Sequence, residues 1–456
     1  MRRLGAGVPP TKGLAGKRVL VVGLGVSGFA AARALAGLDS KVRVTEGGES
    51  AAIAERARVL RSEGIEVETG GHDLGRLDAD LAVISPGIAP IAAVARALRA
   101  EGIETIGEIE LAWRLGRCDF LAITGTNGKT TTTSLLAAML QEAGVPSAAA
   151  GNIGLPLIEA VFAIPEGGVI AVEASSFQLA TIVRFRPEVA VLLNVAEDHT
   201  DWHGTFFDYA AAKARIVENQ EATDTFVFNV EDARAVEVAG AARSRLVPFS
   251  ARRAVEHGIG VEGGHIVFGG TRLIAAEDVP LRGEAGLEDT VAACGAAMAY
   301  GIDAQSLVRA IKSFRPPAHR LEVVAELAGV TYVDDSKATN PHATVAATRG
   351  LSDVVLIAGG RSKGIDLSSM AATVPPVIAV IALGEAQDEI AKVFSDLVPV
   401  ERAHTMDEAV ALARKLAVRG GSVLMSPGCA SLDMYESYVQ RGEDFARAVR
   451  SVLGEE

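Results

Sequence analysis

Short β-branched apolar runs alternate along this chain with longer stretches of helical period. Residues 17–22 (KRVLVV), 42–44 and 80–84 read as strands, with a helix over 30–38 and turns rich in Gly, Ser or Pro. A short strand at 103–106 precedes a helix over 108–115. A second series follows, with strands at 120–123, 168–173, 189–195 and 226–229 and helices over 134–142 and 207–218. Hairpins at 265–268 and 272–274 lead to an Ala-rich helix over 286–300. A third series has strands at 331–334, 354–358, 377–383 and 422–425 with helices between. Alternation of this kind predicts an α/β fold of parallel sheets. We expect three domains. Residues 1–114 and 317–456 are Rossmann-like, and 115–316 form a central parallel sheet of P-loop type, with Pro316-Pro317 as a linker.

Bulk composition changes this picture little. A chain of 456 residues suits about three domains. Cys118, Cys294 and Cys429 are far apart and form no C-x-x-C pair, which argues against a disulfide framework or zinc knuckle and fits a reducing cytoplasm. No apolar run reaches the ~18 residues of a membrane span. The first residues carry two Arg but no apolar stretch, and read as a short extension rather than a secretory signal. The net charge of −13 disfavours nucleic-acid binding. An acidic chain with anionic ligands must concentrate its cations locally.

Candidate chemistry lies at the strand tips. Gly125-Thr126-Asn127-Gly128-Lys129-Thr130 joins a strand to a helix, as a phosphate cradle requires. Backbone N–H groups and Lys129 face the phosphates, and the Thr130 hydroxyl suits the Mg²⁺ that travels with a nucleotide. The usual first Gly of the motif is replaced by Ile123. Gly23-Leu24-Gly25-Val26-Ser27-Gly28, with Glu46 after the next strand, fits a dinucleotide fingerprint, but the same glycines suit any diphosphate, such as that of a UDP-sugar. Ser85 and Gly87 occupy a Pro-Gly turn at a third tip. Glu173 ends a strand where P-loop proteins often place a Mg²⁺ carboxylate. His199 lies in a loop crowded with polar ligands. Read alone, Lys213 is an ordinary surface lysine on a helix. In the third series the tips carry Lys337, Thr339, Arg361, Lys363 and Ser431, the local cation cluster the net charge calls for.

GTNGKTTT, GNIG, E-x-SSFQL and N-x-x-EDH-x-D occur in this order and together resemble the muramoyl ligases, the ATP-dependent amino-acid-adding enzymes of peptidoglycan synthesis. Folylpolyglutamate synthase is a relative. DDSKATN at 334–340 and SPGCASLDMY at 426–435 are similar to the branch that adds D-glutamate, and the DNPR signature of enzymes adding a third, diamino residue is missing. The resemblance runs from about Gly16 to the end.

It implies ATP, UDP-N-acetylmuramoyl-L-alanine and D-glutamate as substrates, Mg²⁺ at two sites, a cytoplasmic location and a monomer. By matching position, Gly125, Thr126, Asn127, Gly128, Lys129, Thr130, Thr131, Arg320 and Asp335 would bind ATP. Val26, Ser27, Glu46, Ser85 and Gly87 would hold the uridine diphosphate, with Asn152, Ser175 and Gln178 facing the muramoyl part. Thr339, Lys363, Ser431 and Tyr438 would bind D-glutamate. Thr130 and Glu173 would ligate one Mg²⁺, and His199 with a carbamylated Lys213 a second, so that Lys129, Glu173, His199 and Lys213 form the catalytic set. One departure stands out. The family's G-x-H-N-x-x-N stretch near the adenine reads Gly283-Glu284-Ala285-Gly286-Leu287-Glu288-Asp289. Competing readings are a sister ligase for another amino acid, an NAD dehydrogenase that would leave the P-loop idle, and a P-loop switch protein that would leave the flanking domains unexplained.

Overall fold

The computed structural model describes residues 13–362 and 364–453. Three sheets follow one another along the chain. The first is all parallel, in the spatial order Glu66–Glu68, Lys41–Thr45, Arg18–Val22, Leu81–Ile84 and Thr105–Gly107. Chain order reverses beside Arg18–Val22, which opens a crevice at its C-terminal tip. Gly28, in the following helix Val26–Ala36, lets that helix close onto the strand. A Cβ at Gly28 would lie 2.0 Å from the Gly23 carbonyl oxygen.

The central sheet has nine strands. Seven run parallel, from Ser147–Gly151 at one edge through Val169–Glu173, Asp119–Thr124, Val189–Leu192, Thr225–Asn229 and Arg245–Phe249 to Ile259–Glu262. The hairpin His265–Phe268 and Thr271–Ala275 extends it antiparallel. The Ala-rich helix Gly283–Tyr300 lies on the sheet so closely that a Cβ at Gly295 would meet Ile259 Cγ2 at 2.9 Å. Close approach by small residues seals one face of the core. The third sheet is parallel over Val330–Asp334, Ser422–Gly428, Val354–Gly359, Val377–Leu383 and Val400–Ala403, with Glu322–Leu327 antiparallel at one edge. No helix among the described residues is long and apolar enough to cross a membrane.

Two elements differ from their sequence pattern for visible reasons. The helix expected over 207–218 runs only Phe206–Ala214 and tightens into a 3₁₀ turn at Arg215–Val217. There the Arg215 guanidinium donates to the carbonyls of Leu179, Ala180 and Ile182, which holds the turn against that loop. The strand expected over 189–195 ends at Leu192, because Asn194 turns its backbone and side chain to the loop at 125–128.

The helix Glu108–Leu115 ties the first sheet to the second. Its Glu110 is fully buried, pairs with Arg114 at 2.7 Å, and uses Oε2 to accept the backbone N–H groups of Val183, Arg184 and Phe185 at 2.8–2.9 Å. A neutral acceptor could not satisfy three converging backbone donors as well as a carboxylate does. Glu110→Ala would leave them unpaired and should cost about 3–5 kcal/mol of stability, read from denaturant unfolding. A loss below about 1 kcal/mol would show that the loop at 183–185 repairs itself.

Candidate active site

The strand Asp119–Thr124 ends beneath the loop at 125–128, and the helix Lys129–Glu142 starts from it. Gly128 takes a left-handed conformation (φ 84°), and a Cβ there would lie 2.2 Å from Asp289 Oδ1. The turn therefore requires glycine both for its backbone and for space. Thr126 commits its hydroxyl to the Ala196 backbone and to the Tyr209 hydroxyl at 3.0 Å, so its backbone is what remains to face a ligand. Thr130 is half-buried in the first helical turn, and Thr131 is buried beside it.

Two lysines converge on this loop. Lys129 Nζ donates to the carbonyls of Gly125 and Thr126, both at 2.8 Å. Lys213 Nζ donates to the same Gly125 carbonyl at 2.7 Å. Lys213 is only 1% exposed and lies over the Tyr209 ring. Burial first, and then the charge of Lys129, hold the Lys213 ammonium well below the ordinary lysine range. Burial also lowers Lys129, with Glu173 and Asp198 opposing that shift.

Acidic groups stand across from these cations. Glu173 is buried at the tip of its strand, where register sets it beside Ile123 and Gly151. Its Oε1 accepts from Asn152 Nδ2 at 2.7 Å, whereas Oε2 is buried with no hydrogen-bond partner. Asp198 is buried and lies 3.7 Å from His199 Nε2. His199 adopts a left-handed conformation (φ 54°) and packs edge-on against Phe177. The loop is stiffened by Trp202 and His203, whose rings also meet Phe177. His203 Nε2 lies 3.0 Å from Ser176 Oγ, and burial pushes its pKa down to about 4.

A cleft of about 260 Å³ opens beside the loop, between the central and third sheets. Asn127, Gly128 and Thr131 border it on one side, and Arg320, Asp335 and Lys337 on the other. Glu288 and Asp289 also line it, Asp289 at a position where the resemblance leads one to expect an amide. Asp289 accepts from Thr132 and sits well above the carboxylate range because it is buried and next to Glu288. Asp335 accepts from Ser426 Oγ at 2.8 Å and from the Leu321 N–H at 3.3 Å.

The remaining expected residues fall in two groups. Val26, Ser27, Glu46, Ser85 and Gly87 gather at the first sheet's crevice. A Cβ at Gly23 would strike Ser85, and Glu46 accepts the backbone N–H groups of Leu24 and Gly48. Asn152 bridges toward the centre through Glu173, while Ser175 and Gln178 are buried and bind each other in a capping box. In the third sheet Thr339 and Tyr438 are half-buried and Ser431 is buried, with Lys337 Nζ 4.0 Å from the Tyr438 ring centre. Lys363 lies outside the described residues. Sequence reasoning missed Asp198, Asn194, Asn340 and Arg441. The first two sit inside the N-x-x-EDH motif and Asn340 ends DDSKATN, so motif position was the available signal. Arg441, buried and bonded to Ser336 and to the Cys429 carbonyl, carries no such signal.

Three family models match successive parts of the chain. They are Mur ligase MurD-like, N-terminal domain over residues 17–107, Mur ligase middle domain over 123–297, and Mur ligase, glutamate ligase domain over 319–429. The UDP-N-acetylmuramoylalanine–D-glutamate ligase of Frankia casuarinae is 44% identical over 450 residues, covering 96% of this chain and 95% of its own. The enzyme of that name from Pelotomaculum thermopropionicum is 40% identical over 448 residues, covering 96% and 98%. Among solved structures, UDP-N-acetylmuramate-alanine ligase from Thermotoga maritima shares the fold at 17% identity and a TM-score of 0.56, covering 96% of this chain and 100% of that one. The type C pseudomurein peptide ligase of Methanothermus fervidus does so at 18% and 0.58, covering 96% and 99%.

Burial raises the Asp335 carboxyl from 3.8 to about 7. The folded protein thus binds this proton more tightly than the unfolded chain does. Its contribution to stability is present at low pH and is lost as pH rises between about 4 and 7. Asp335→Asn should flatten the slope of stability against pH across that window, as followed by denaturation midpoints from pH 5 to 8. An unchanged slope would assign the titration to other groups.

Proposed function

The chain belongs to the Mur ligase family, and from that premise we propose that it joins D-glutamate to UDP-N-acetylmuramoyl-L-alanine at the expense of ATP, in the cytoplasm, for peptidoglycan synthesis. The observation that carries this reading is near-full-length likeness to D-glutamate ligases, with Lys129, Lys213, Glu173 and Asp198 gathered at the edge of the central sheet that faces the third. Domain limits of 1–114, 115–316 and 317–456 accompany the proposal.

The chemistry follows from the inertness of a carboxylate toward amines. ATP transfers its terminal phosphoryl group to the alanyl carboxylate, giving an acyl phosphate and ADP. The neutral amine of D-glutamate attacks the acyl carbon, and the tetrahedral intermediate expels phosphate as the nitrogen loses its proton. No protein nucleophile is needed, so catalysis rests on positioning and charge. The loop at 125–130 and Lys129 would hold the phosphates, and Arg320 and Asp335 would reach the nucleotide from the third sheet. Val26, Ser27, Glu46, Ser85 and Gly87 would anchor the uridine diphosphate. Thr339, Lys363, Ser431 and Tyr438 would take D-glutamate.

The residues present fit a divalent cation. Glu173 offers a buried oxygen without a partner, and Thr130, His199 and Lys213 stand around the same loop. Mg²⁺ held by these groups would neutralise charge on the transferring phosphoryl group. Lys213 as an ammonium cannot ligate a cation. Burial and the neighbouring charge of Lys129 lower its pKa and so favour the neutral amine. A neutral amine adds CO₂ to give a carbamate and a proton, and the carbamate's negative charge would be attracted to Lys129.

Two measurements test this reading. Phosphate release with UDP-N-acetylmuramoyl-L-alanine and ATP should require D-glutamate, and L-glutamate should support less than about a hundredth of the rate, a stereochemical discrimination of about 3 kcal/mol. Equal turnover with another amino acid would make the chain a sister ligase. Carbon-13 NMR after incubation with labelled bicarbonate should show one carbamate signal, absent in Lys213→Arg. No signal in active protein would remove the carbamate.

A further inference from the structure

Asn340 joins the third sheet to the nucleotide loop. It follows the strand Val330–Asp334, is 3% exposed, and uses both ends of its side-chain amide. Oδ1 accepts the Ala343 N–H at 2.9 Å, which caps the helix Pro341–Thr348, and also faces Asn127 Nδ2 at 3.3 Å. Nδ2 donates to Asp198 Oδ2 at 3.1 Å and to Asn127 Oδ1 at 3.2 Å. Asn127 Nδ2 further meets His342 Nδ1 at 2.9 Å. One amide of the third sheet therefore touches the phosphate loop, through Asn127, and the buried carboxylate that faces both lysines, through Asp198.

The two partners are otherwise held from below. Asn127 N–H donates to Asn194 Oδ1 at 2.9 Å, and Asp198 Oδ1 accepts the His199 N–H at 2.9 Å. Asn340 supplies the contacts from above to both partners, beside His342 on Asn127 alone, and a rigid movement of the third sheet would break them. Its neighbour in the chain is Thr339, assigned above to D-glutamate. A ligand that settles Thr339 also settles Asn340, since one peptide bond separates them and the helix cap fixes the residue beyond.

We propose that Asn340 is a positioning residue that couples amino-acid binding in the third domain to the nucleotide loop of the central domain, through Asn127 and Asp198. It touches no reacting atom. It makes the geometry of the phosphate loop and of Asp198 depend on the third domain being in place, so occupancy of the amino-acid site tightens nucleotide binding. By linkage, nucleotide tightens amino-acid binding equally. The assignment of the amino acid to Thr339 rests on the function proposed above.

The test is a binding cycle on the full chain. Turnover of wild-type protein is measured first, and the amino acid that supports it is used thereafter, so failure with D-glutamate counts against the proposed function and not against the bridge. Affinity for a non-hydrolysable ATP analogue is then measured by calorimetry, with UDP-N-acetylmuramoyl-L-alanine, with and without that amino acid. The wild type should gain about tenfold. Asn340→Ser keeps a good helix cap but is too short to reach Asp198, and should reduce the gain to less than about twofold while the melting temperature stays within a few degrees. Asn340→Asp keeps the cap as well and sets a carboxylate against Asp198, so it should also lose the gain. A cap or packing role alone would move stability and leave the ratio intact. The proposal is overturned if either folded variant retains the wild-type ratio, or if the active wild type shows no gain.

Discussion

Everything in this molecule turns on one crowded carbonyl. The Gly125 oxygen accepts from both Lys129 and Lys213. Two lysine amino groups on one acceptor, one of them nearly sealed from water, is a costly arrangement when both are charged, and a fold retains it only when its surroundings compensate. Compensation comes from Glu173 and Asp198, whose charges oppose the fall in both lysine pKa values. The strand registers of the central sheet deliver these groups to a common edge. Glu173 lies beside Ile123 one strand away, and the loop bearing Asp198 leaves the strand on the other side. An anionic ligand at this edge would bring negative charge to the place where such repulsion is greatest, so binding energy and local stress would have the same origin.

The flanking sheets bear on that centre through few but well-satisfied polar contacts. Glu110 anchors the first sheet's last helix by three backbone donors on one oxygen. Asn152 holds Glu173 from the neighbouring loop. Asn340 links the third sheet to Asn127 and Asp198. Contacts of this kind are directional, and a small displacement forfeits them, whereas an apolar interface of equal size would tolerate sliding. Beyond these polar contacts the first and central sheets share one continuous apolar core, to which Val19, Leu35 and Ile109 belong together with Phe120, Ile158 and Phe185, and the directional contacts set the register within it.

What the sequence makes legible follows the range of the physics involved. The glycine loops at 23–28 and 125–128 are readable because a tight turn feeding a helix is a local requirement. Glu173 and His199 are readable because strand tips in a parallel sheet share one edge. Lys213 defeats local reading. Its helix pattern suits a surface lysine, yet the side chain is 1% exposed, and only likeness to a known family singles it out. Asn340 lies 213 residues from Asn127, and no periodicity reports a contact made by two domains closing. Edge strands such as Glu66–Glu68 and Ser147–Gly151 escape because EVE is too short for its alternation to stand out and SAAAG has no apolar alternation at all.

The cleft beside the loop at 125–128 carries the same logic away from the lysines. Asp289 stands where the family resemblance calls for an amide, Glu288 precedes it, and burial raises both carboxyls toward the protonated state. A protonated carboxyl presents one donor and one acceptor, the pattern of an amide, whereas a carboxylate presents acceptors alone. The shape of the site is thereby compatible with an amide's hydrogen-bonding role without an amide. Asp289 also fills the space that a Cβ on Gly128 would take, so the same side chain supports the turn at 125–128. An acid in place of the amide makes this part of the cleft sensitive to charge. It also joins the cleft to that turn through Thr132, which donates to Asp289 from the helix that Lys129 begins.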